Sequence, residues 1–337
     1  MRILIAVLAA SFVTAGTATA ADEVSAAALK ASAQRALDLL EKTSPTFIQK
    51  GGCNSCHNQM LAAAAQAFAR SRGVSTGNTI AQLPAEVSEA STERYIEYSF
   101  AGGGGVTALS FDLFGRALAG EPADARIRAE IHFIKGMQQP QGYWRGGGSR
   151  PPLTFDDFTP TAYMIHALDT YAPSSEAGET SERIARARDW LITTKAERTQ
   201  ERAFRLLGLV WSHADRNAVS GAIRDVQVLQ REDGGWSQQP ALPSDAYATG
   251  VALFALASAG VPATQSSYVD GLKYLLRTQA ADGTWHVRTR AIPIQPYFES
   301  GYPYGHDQWI SAAGAAYATL AIASGLESSG SSRGAAK

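Results

Sequence analysis

Cysteine is almost absent from this chain, runs of lysine and arginine are absent altogether, and no apolar run after the first segment approaches the thickness of a bilayer. Each shortage excludes something. Two cysteines in 337 residues cannot build a disulfide framework, so the fold must hold by packing. With 30 basic against 31 acidic side chains and a formal net charge of -1, there is no basic stripe to meet a phosphate backbone, which excludes nucleic acid as the partner. A membrane-spanning helix needs about 20 consecutive apolar residues, and the expected mature chain offers no such run. Charge is sparse at 18% of residues while 45% are hydrophobic, which suits a large core and excludes a disordered chain or a fibre. What is present is concentrated: both cysteines fall in Gly52-Cys53-Asn54-Ser55-Cys56-His57.

The first segment combines Arg2, an apolar stretch from Ile3 to Val13, and Ala18-Thr19-Ala20 ahead of Ala21-Asp22. An apolar stretch too short to span a bilayer, followed by an A-x-A site, predicts a secretory signal peptide cleaved after Ala20. The expected mature chain is exported, to a bacterial periplasm or beyond. It is expected to carry one domain over residues 21–325 and a disordered tail over 326–337.

Three segments repeat: Gln138-Gln-Pro-Gln-Gly142-Tyr-Trp144, Gln230-Arg-Glu-Asp233-Gly234-Gly-Trp236 and Gln279-Ala-Ala-Asp282-Gly283-Thr-Trp285. Each follows one helical pattern and precedes another, and spacings of this size mean repeated supersecondary units. Extending the period over the chain predicts six helix pairs. The first helices are expected near residues 25–40, 85–99, 123–137, 181–194, 220–229 and 267–278. Their partners are expected near 56–70, 106–119, 160–171, 200–213, 245–259 and 307–324. First helices carry charge on one face, as with Lys30, Arg35 and Asp38, which marks helices wetted on one side. Second helices are small and apolar nearly all round, as from Ala246 to Ala259 and from Ile310 to Ala323, which marks helices enclosed by protein. A barrel of inner helices inside a ring of outer ones satisfies both patterns, and an open superhelix of stacked pairs is the competing shape.

The Q-x-x-D-G-x-W turns, the alternation of outer and inner helices, and the segment Gly305-His-Asp-Gln-Trp-Ile-Ser-Ala-Ala-Gly resemble the squalene cyclase and protein prenyltransferase superfamily. The resemblance covers residues 85–325 clearly. It implies an all-α fold, the α/α-toroid, with the Gln and Trp of each turn tying the end of an outer helix to the next inner one. It does not by itself imply a reaction.

The C-x-x-C-H pattern of Cys53, Cys56 and His57 is the attachment motif for haem c, in which two thiols add to the vinyl groups and the imidazole ligates iron. Two cysteines placed at random would meet this pattern at a rate of roughly 10⁻⁴. Two alternatives stand beside it: a structural disulfide or redox pair between Cys53 and Cys56, and zinc held by Cys53, Cys56, His57 and a fourth group. The resemblance adds weight to zinc, because prenyltransferases hold that metal at the mouth of their toroid. Met60 follows His57 on the same helix and cannot reach the opposite side of an iron. If all inner helices start at one mouth and the ring closes, His306 lies beside His57, and it is the expected distal ligand.

Asp156 and Asp157 begin another inner helix. Adjacent carboxylates at a low-dielectric mouth push one pKa upward and make an acid. Squalene-type cyclases use an acid in a D-x-D-D-T-A segment, and Phe155-Asp156-Asp157-Phe158-Thr159-Pro160-Thr161-Ala162 is out of step with it and lacks its first Asp. Asp245 and Asp307 at equivalent starts are read as helix caps. The function expected is an exported toroid carrying haem c, in electron transfer or another redox role, with a redox partner protein or an apolar small molecule as partner. The alternatives are a terpenoid-cyclase-like isomerase or lyase using Asp156 and Asp157, and a non-catalytic binding module with zinc or a disulfide at the cysteines.

Overall fold

A computed structural model describes residues 24–77, 80, 92–97, 105–148 and 150–326. The expected signal peptide, the tail beyond residue 326 and most of the second outer helix lie outside the described residues. The outer helices described are α1 (Ala26–Gly51), α3 (Thr92–Ile96), α5 (Ala125–Met137), α7 (Ala177–Thr193), α9 (Arg216–Gln227) and α11 (Ser266–Thr278). The inner helices are α2 (Leu61–Ser71), α4 (Gly105–Leu118), α6 (Phe158–Tyr171), α8 (Thr199–Trp211), α10 (Ala246–Ser258) and α12 (Gln308–Ser324).

Helix starts follow from capping chemistry. The side chains of Ser25, Asp124, Asp215 and Asp245 each accept a hydrogen bond from the amide three residues on, satisfying one free donor of the first turn. The inner helices are enclosed: every residue of α10 from Ala246 to Leu256 is buried, and so is every residue of α12 from Gln308 to Ala323. Close approach needs small residues. A Cβ on Gly250 would sit 2.6 Å from the Ala318 amide nitrogen, so glycine lets α10 meet α12 backbone to backbone.

The repeated turns fasten neighbouring outer helices. Each turn glutamine donates to the carbonyl four residues on and to a carbonyl of the next outer helix. Gln138 reaches Arg183 at 2.9 Å, Gln230 reaches Ser267 at 2.8 Å, and Gln279 reaches Ser32 at 3.0 Å. The turn glycines have positive φ, and a Cβ on Gly234 or Gly283 would meet the carbonyl oxygen of Asp270 at 2.7 Å or of Arg35 at 2.6 Å. Each tryptophan donates back to its own outer helix, Trp144 to Ile134, Trp236 to Val226 and Trp285 to Leu275. The tie to the inner helix is made by backbone, as where the Trp144 and Trp236 amides donate to Thr161 and Thr249. The glutamine therefore joins outer helix to outer helix, where the resemblance implied a tie from outer to inner helix.

The third turn closes the ring. Gln279 ties α11 to α1, and α12 packs against α1 and α2, so the first and sixth pairs are neighbours. The shape is a closed barrel within a ring, and the open superhelix is excluded. At its centre the barrel is full. Tyr163, Tyr247, Tyr317, Phe111, Phe114 and Phe204 are wholly buried, with the Tyr163 and Tyr317 hydroxyls 3.0 Å apart and the Tyr247 hydroxyl donating to Gln200 at 2.7 Å.

One outer helix overruns its expected end. α1 continues past Leu40 through Pro45 to Gly51. The ring of Pro45 removes a donor to the Glu41 carbonyl, and the Ser44 hydroxyl takes that donor's place at 3.3 Å. The overrun carries Phe47 to the mouth of the barrel, where it meets His57.

Candidate functional site

Chain from Gly52 to Met60 enters the first inner helix through a π turn. Gly52 ends α1 with φ 66°. Ser55 caps the next turn, accepting from the Asn58 amide at 2.9 Å, and Gln59 answers it by accepting from the Ser55 amide and hydroxyl at 2.9 and 2.8 Å. Gln59 is itself wholly buried and donates to the Ser44 carbonyl at 2.9 Å, which pins the turn to α1. The segment Cys56–Met60 is π-helical, and such wide turns often mark functional positions. Cys56 thus starts an inner helix at the mouth, as its place in the repeat predicts, with Cys53 exposed on the approach.

His57 is 3% exposed, and its ring is held edge-on by Phe47 at 5.1 Å and by Trp309 at 5.7 Å. Its Nδ1 is buried with no hydrogen-bond partner. Burial, helped by the Arg150 charge, pushes the imidazole pKa down to about 3, so the ring is neutral at pH 7. That is the form a metal ion binds. Burial raises the thiol pKa of both cysteines, that of Cys56 to about 12. Protonated thiols are poor nucleophiles and poor zinc ligands. Both cysteines are free thiols, and among the described residues no three His, Cys, Asp or Glu side chains gather as a metal site would require.

The imidazole lines a cavity of about 240 Å³ open at the barrel mouth. Its walls are mostly apolar, from Phe47, Ile292, Ile294, Phe298 and Trp309, and His306 and Arg150 also line it. His57 and His306 therefore share one cavity, which follows from the ring closure that sets α12 beside α2. His306 is exposed, and its ring lies 4.4 Å from that of Tyr297. Gln308 positions the loop that forms the outer wall, donating to the Phe298 carbonyl at 2.6 Å and accepting from the Ser300 amide at 2.8 Å. Gln59 and Gln308 hold the two sides of the cavity in the same manner, each accepting from a serine amide and hydroxyl.

Asp156 and Asp157 lie at a different inner-helix start. Asp156 accepts from the Thr159 amide at 2.7 Å, the Thr159 hydroxyl at 3.1 Å and Gln200 at 2.6 Å. Its pKa is raised to about 6, and the cause is burial; Asp157 is not the source of the shift that the sequence attributed to paired carboxylates. Asp157 accepts from the Gly146 amide at 2.7 Å. Asp245 reproduces the Asp156 arrangement two helix pairs later. It accepts from Ala248 at 2.8 Å and Gln238 at 2.9 Å, and burial raises its pKa to about 6 as well. A capped carboxylate backed by a glutamine is thus a recurring element of the fold. The cavity beside Asp156 is only about 20 Å³. Asp307 accepts from the Thr289 amide at 2.8 Å and pairs with His286 at 2.7 Å. His213 pairs with Asp169 on the surface, while His166 is packed among Phe114 and Trp211.

No protein-family model matches the chain, and no curated protein matches it. Solved structures do. The type II terpene cyclase MstE from Scytonema superposes with a TM-score of 0.51 at 13% identity over 89% of this chain and 100% of that one. A variant of the same enzyme in complex with geranylgeranyl dihydroxybenzoate gives 0.50 at 14% identity over 89% and 99%. A glycosidase reaches 0.45 at 12% identity over 89% and 86%, a similarity too low to carry a conclusion. The fold is the α/α-toroid. Identity this low speaks to the toroid alone and leaves its chemistry to be read from the site.

The sequence placed Cys53, Cys56, His57 and His306 at one mouth, and the structure puts His57 and His306 into one cavity. It missed Arg150 and Phe47. Arg150 sits in a loop between repeats with no motif around it, and Phe47 lies beyond the expected end of α1. The signal that α1 continues was local, in Ser44 beside Pro45.

Proposed function

We propose that the protein is an exported haem c protein with an electron-transfer or other redox role, built on a terpene-cyclase-like toroid. The observation that carries this reading is that His57 of the C-x-x-C-H motif, buried and neutral with an unpartnered Nδ1, lines one apolar cavity with His306. His57, His306 and the mostly apolar wall fit the group, while Cys53 and Cys56 precede His57 in the chain without themselves lining the cavity. Cys53 and Cys56 would hold its vinyl positions, His57 would ligate the iron, and His306 is the candidate for the opposite face. When bound, haem c supplies a one-electron couple.

The chain's own part is binding and orientation. Phe47 and Trp309 fix the plane of the His57 ring, and Gln59 fixes the turn that carries both His57 and Cys56. Ile292, Ile294 and Phe298 form an apolar outer wall, with Ile292 and Ile294 themselves exposed to solvent, against which the apolar face of the group would lie. Cys53 is exposed, so a group attached there would be reachable by a partner protein. Zinc at the same residues is the weaker reading, since among the described residues no three His, Cys, Asp or Glu side chains converge. The test is spectroscopic. Protein exported with haem c maturation shows a Soret band that shifts on His306→Ala. An unchanged spectrum removes His306 as ligand, and an absent band removes the haem reading.

The toroid also favours a second reading, a terpenoid-cyclase-like isomerase or lyase with Asp156 as the acid. Its support is the fold shared with the type II terpene cyclase MstE, together with the burial and raised pKa of Asp156. This reading requires the central tyrosines and phenylalanines to give way to a substrate, because the adjoining cavity is about 20 Å³. Incubation with polyprenyl substrates, followed by mass spectrometry for cyclised products lost in Asp156→Asn, decides it.

A further inference from the structure

Arg150 stands at the rim of the His57 cavity with its guanidinium 4.5 Å over the Trp309 ring. It is half-buried, and among the described residues no carboxylate pairs with it and no acceptor meets its guanidinium. Every other part-buried arginine described has such an acceptor. Arg126 donates to Glu130, Arg183 to Glu179, Arg188 to the Ser212 carbonyl and Arg290 to Gln238. A cation taken partly out of water without a counter-charge is costly, and the cavity it shares is mostly apolar, with uncharged Thr289, Gln295 and Gln308 and the buried imidazole of His57 among its lining. A rigid, forked donor stacked on an indole face at the edge of an apolar slot suits a flat apolar ligand that ends in a carboxylate.

We propose that Arg150 is the anchor for a carboxylate of the ligand held in this cavity, which, resting on the haem reading, is a propionate. The apolar body lies against Trp309 and Phe298, and the acid group meets the guanidinium at the rim. The cation-π contact holds the fork in place before the ligand arrives, so little ordering remains to be done on binding.

The test uses haem-free protein titrated with haemin and with haemin dimethyl ester, read by the Soret band and by tryptophan quenching. A charge-assisted hydrogen bond corresponds to about a 10- to 100-fold preference for the free acid. That preference is expected in the wild type, close to unity in Arg150→Met and intermediate in Arg150→Lys, with the far-ultraviolet circular dichroism of all three unchanged. Equal binding of acid and ester by the wild type overturns the anchor while leaving the haem reading standing, and so does a preference that survives in Arg150→Met. If neither form binds, dodecanoate against methyl dodecanoate decides the anchor: acid preference lost in Arg150→Met supports it, and equal binding overturns it.

Discussion

Acidifying the haem-free protein should weaken it through His57, whose burial opposes protonation. The imidazole is buried against Phe47 and Trp309, and its pKa is pushed from 6.5 down to about 3. Between those values the unfolded chain carries a proton that the folded chain refuses. The stability contributed by neutral His57 is therefore complete above pH 6.5 and is lost as pH falls toward 3. At about 1.4 kcal/mol per pH unit, the loss by pH 5 is about 2 kcal/mol. Asp156 and Asp245, whose pKa values are raised to about 6, act in the opposite sense, since the folded state binds their protons more readily. A comparison with His57→Gln cancels them, because both proteins carry them. With a urea slope of about 3 kcal/mol/M, the midpoint of the wild type should fall between pH 7 and pH 5 by about 0.7 M more than that of the variant. Identical pH dependence in the two proteins would refute the claim that His57 is held neutral by burial, and with it the readiness of this imidazole to bind a metal at pH 7.

Ring closure makes its own demands. Gln279→Ala removes two part-buried hydrogen bonds with Ser32 that join the last turn to α1, together with one to the Gly283 carbonyl inside the turn, and should cost about 2 kcal/mol, as should Gln230→Ala in mid-ring, which loses its bonds to Ser267 and Gly234. An open superhelix would leave the Gln279 variant near wild-type stability in chemical denaturation. Gly283→Ala should cost more than 1 kcal/mol, since it combines a φ of 89° with a Cβ 2.6 Å from the Arg35 carbonyl oxygen, and a neutral result by calorimetry would contradict that contact. Asp156→Ala and Asp245→Ala should each cost about 1 kcal/mol of helix capping and leave haem attachment intact. A variant at either position that loses the Soret band would tie that carboxylate to the cofactor.

The inner helices were legible because enclosure removes charge from the whole circumference of a helix, and α10 and α12 advertise this in unbroken stretches of Ala, Gly and Leu. The start of α10 was legible because Asp245 caps it, whereas Asp307 stands at the start of α12 without capping it, its carboxylate going to the Thr289 amide and His286. The mouth followed from the repeat: once Cys56 and His306 were read as equivalent starts and the ring as closed, His57 and His306 had to be neighbours. The rest depended on contacts distant in sequence. That Gln279 grips Ser32 rather than an inner helix is a matter of how outer helices pack, which no local pattern records. The raised pKa of Asp156 comes from burial beneath Gln200 and Tyr247, and the adjacency of Asp157 was a misleading cue. Arg150 is invisible as a site residue until the absence of any counter-charge around it can be seen in three dimensions.

The most direct test of the account is the intact mass of protein exported in a host that matures haem c, measured beside Cys53→Ser/Cys56→Ser. Haem c at this motif predicts a gain of about 616 Da on the processed wild-type chain, resistant to denaturation and absent from the double variant. The bare mass of the processed chain, with or without a zinc ion or a disulfide, would contradict the assignment.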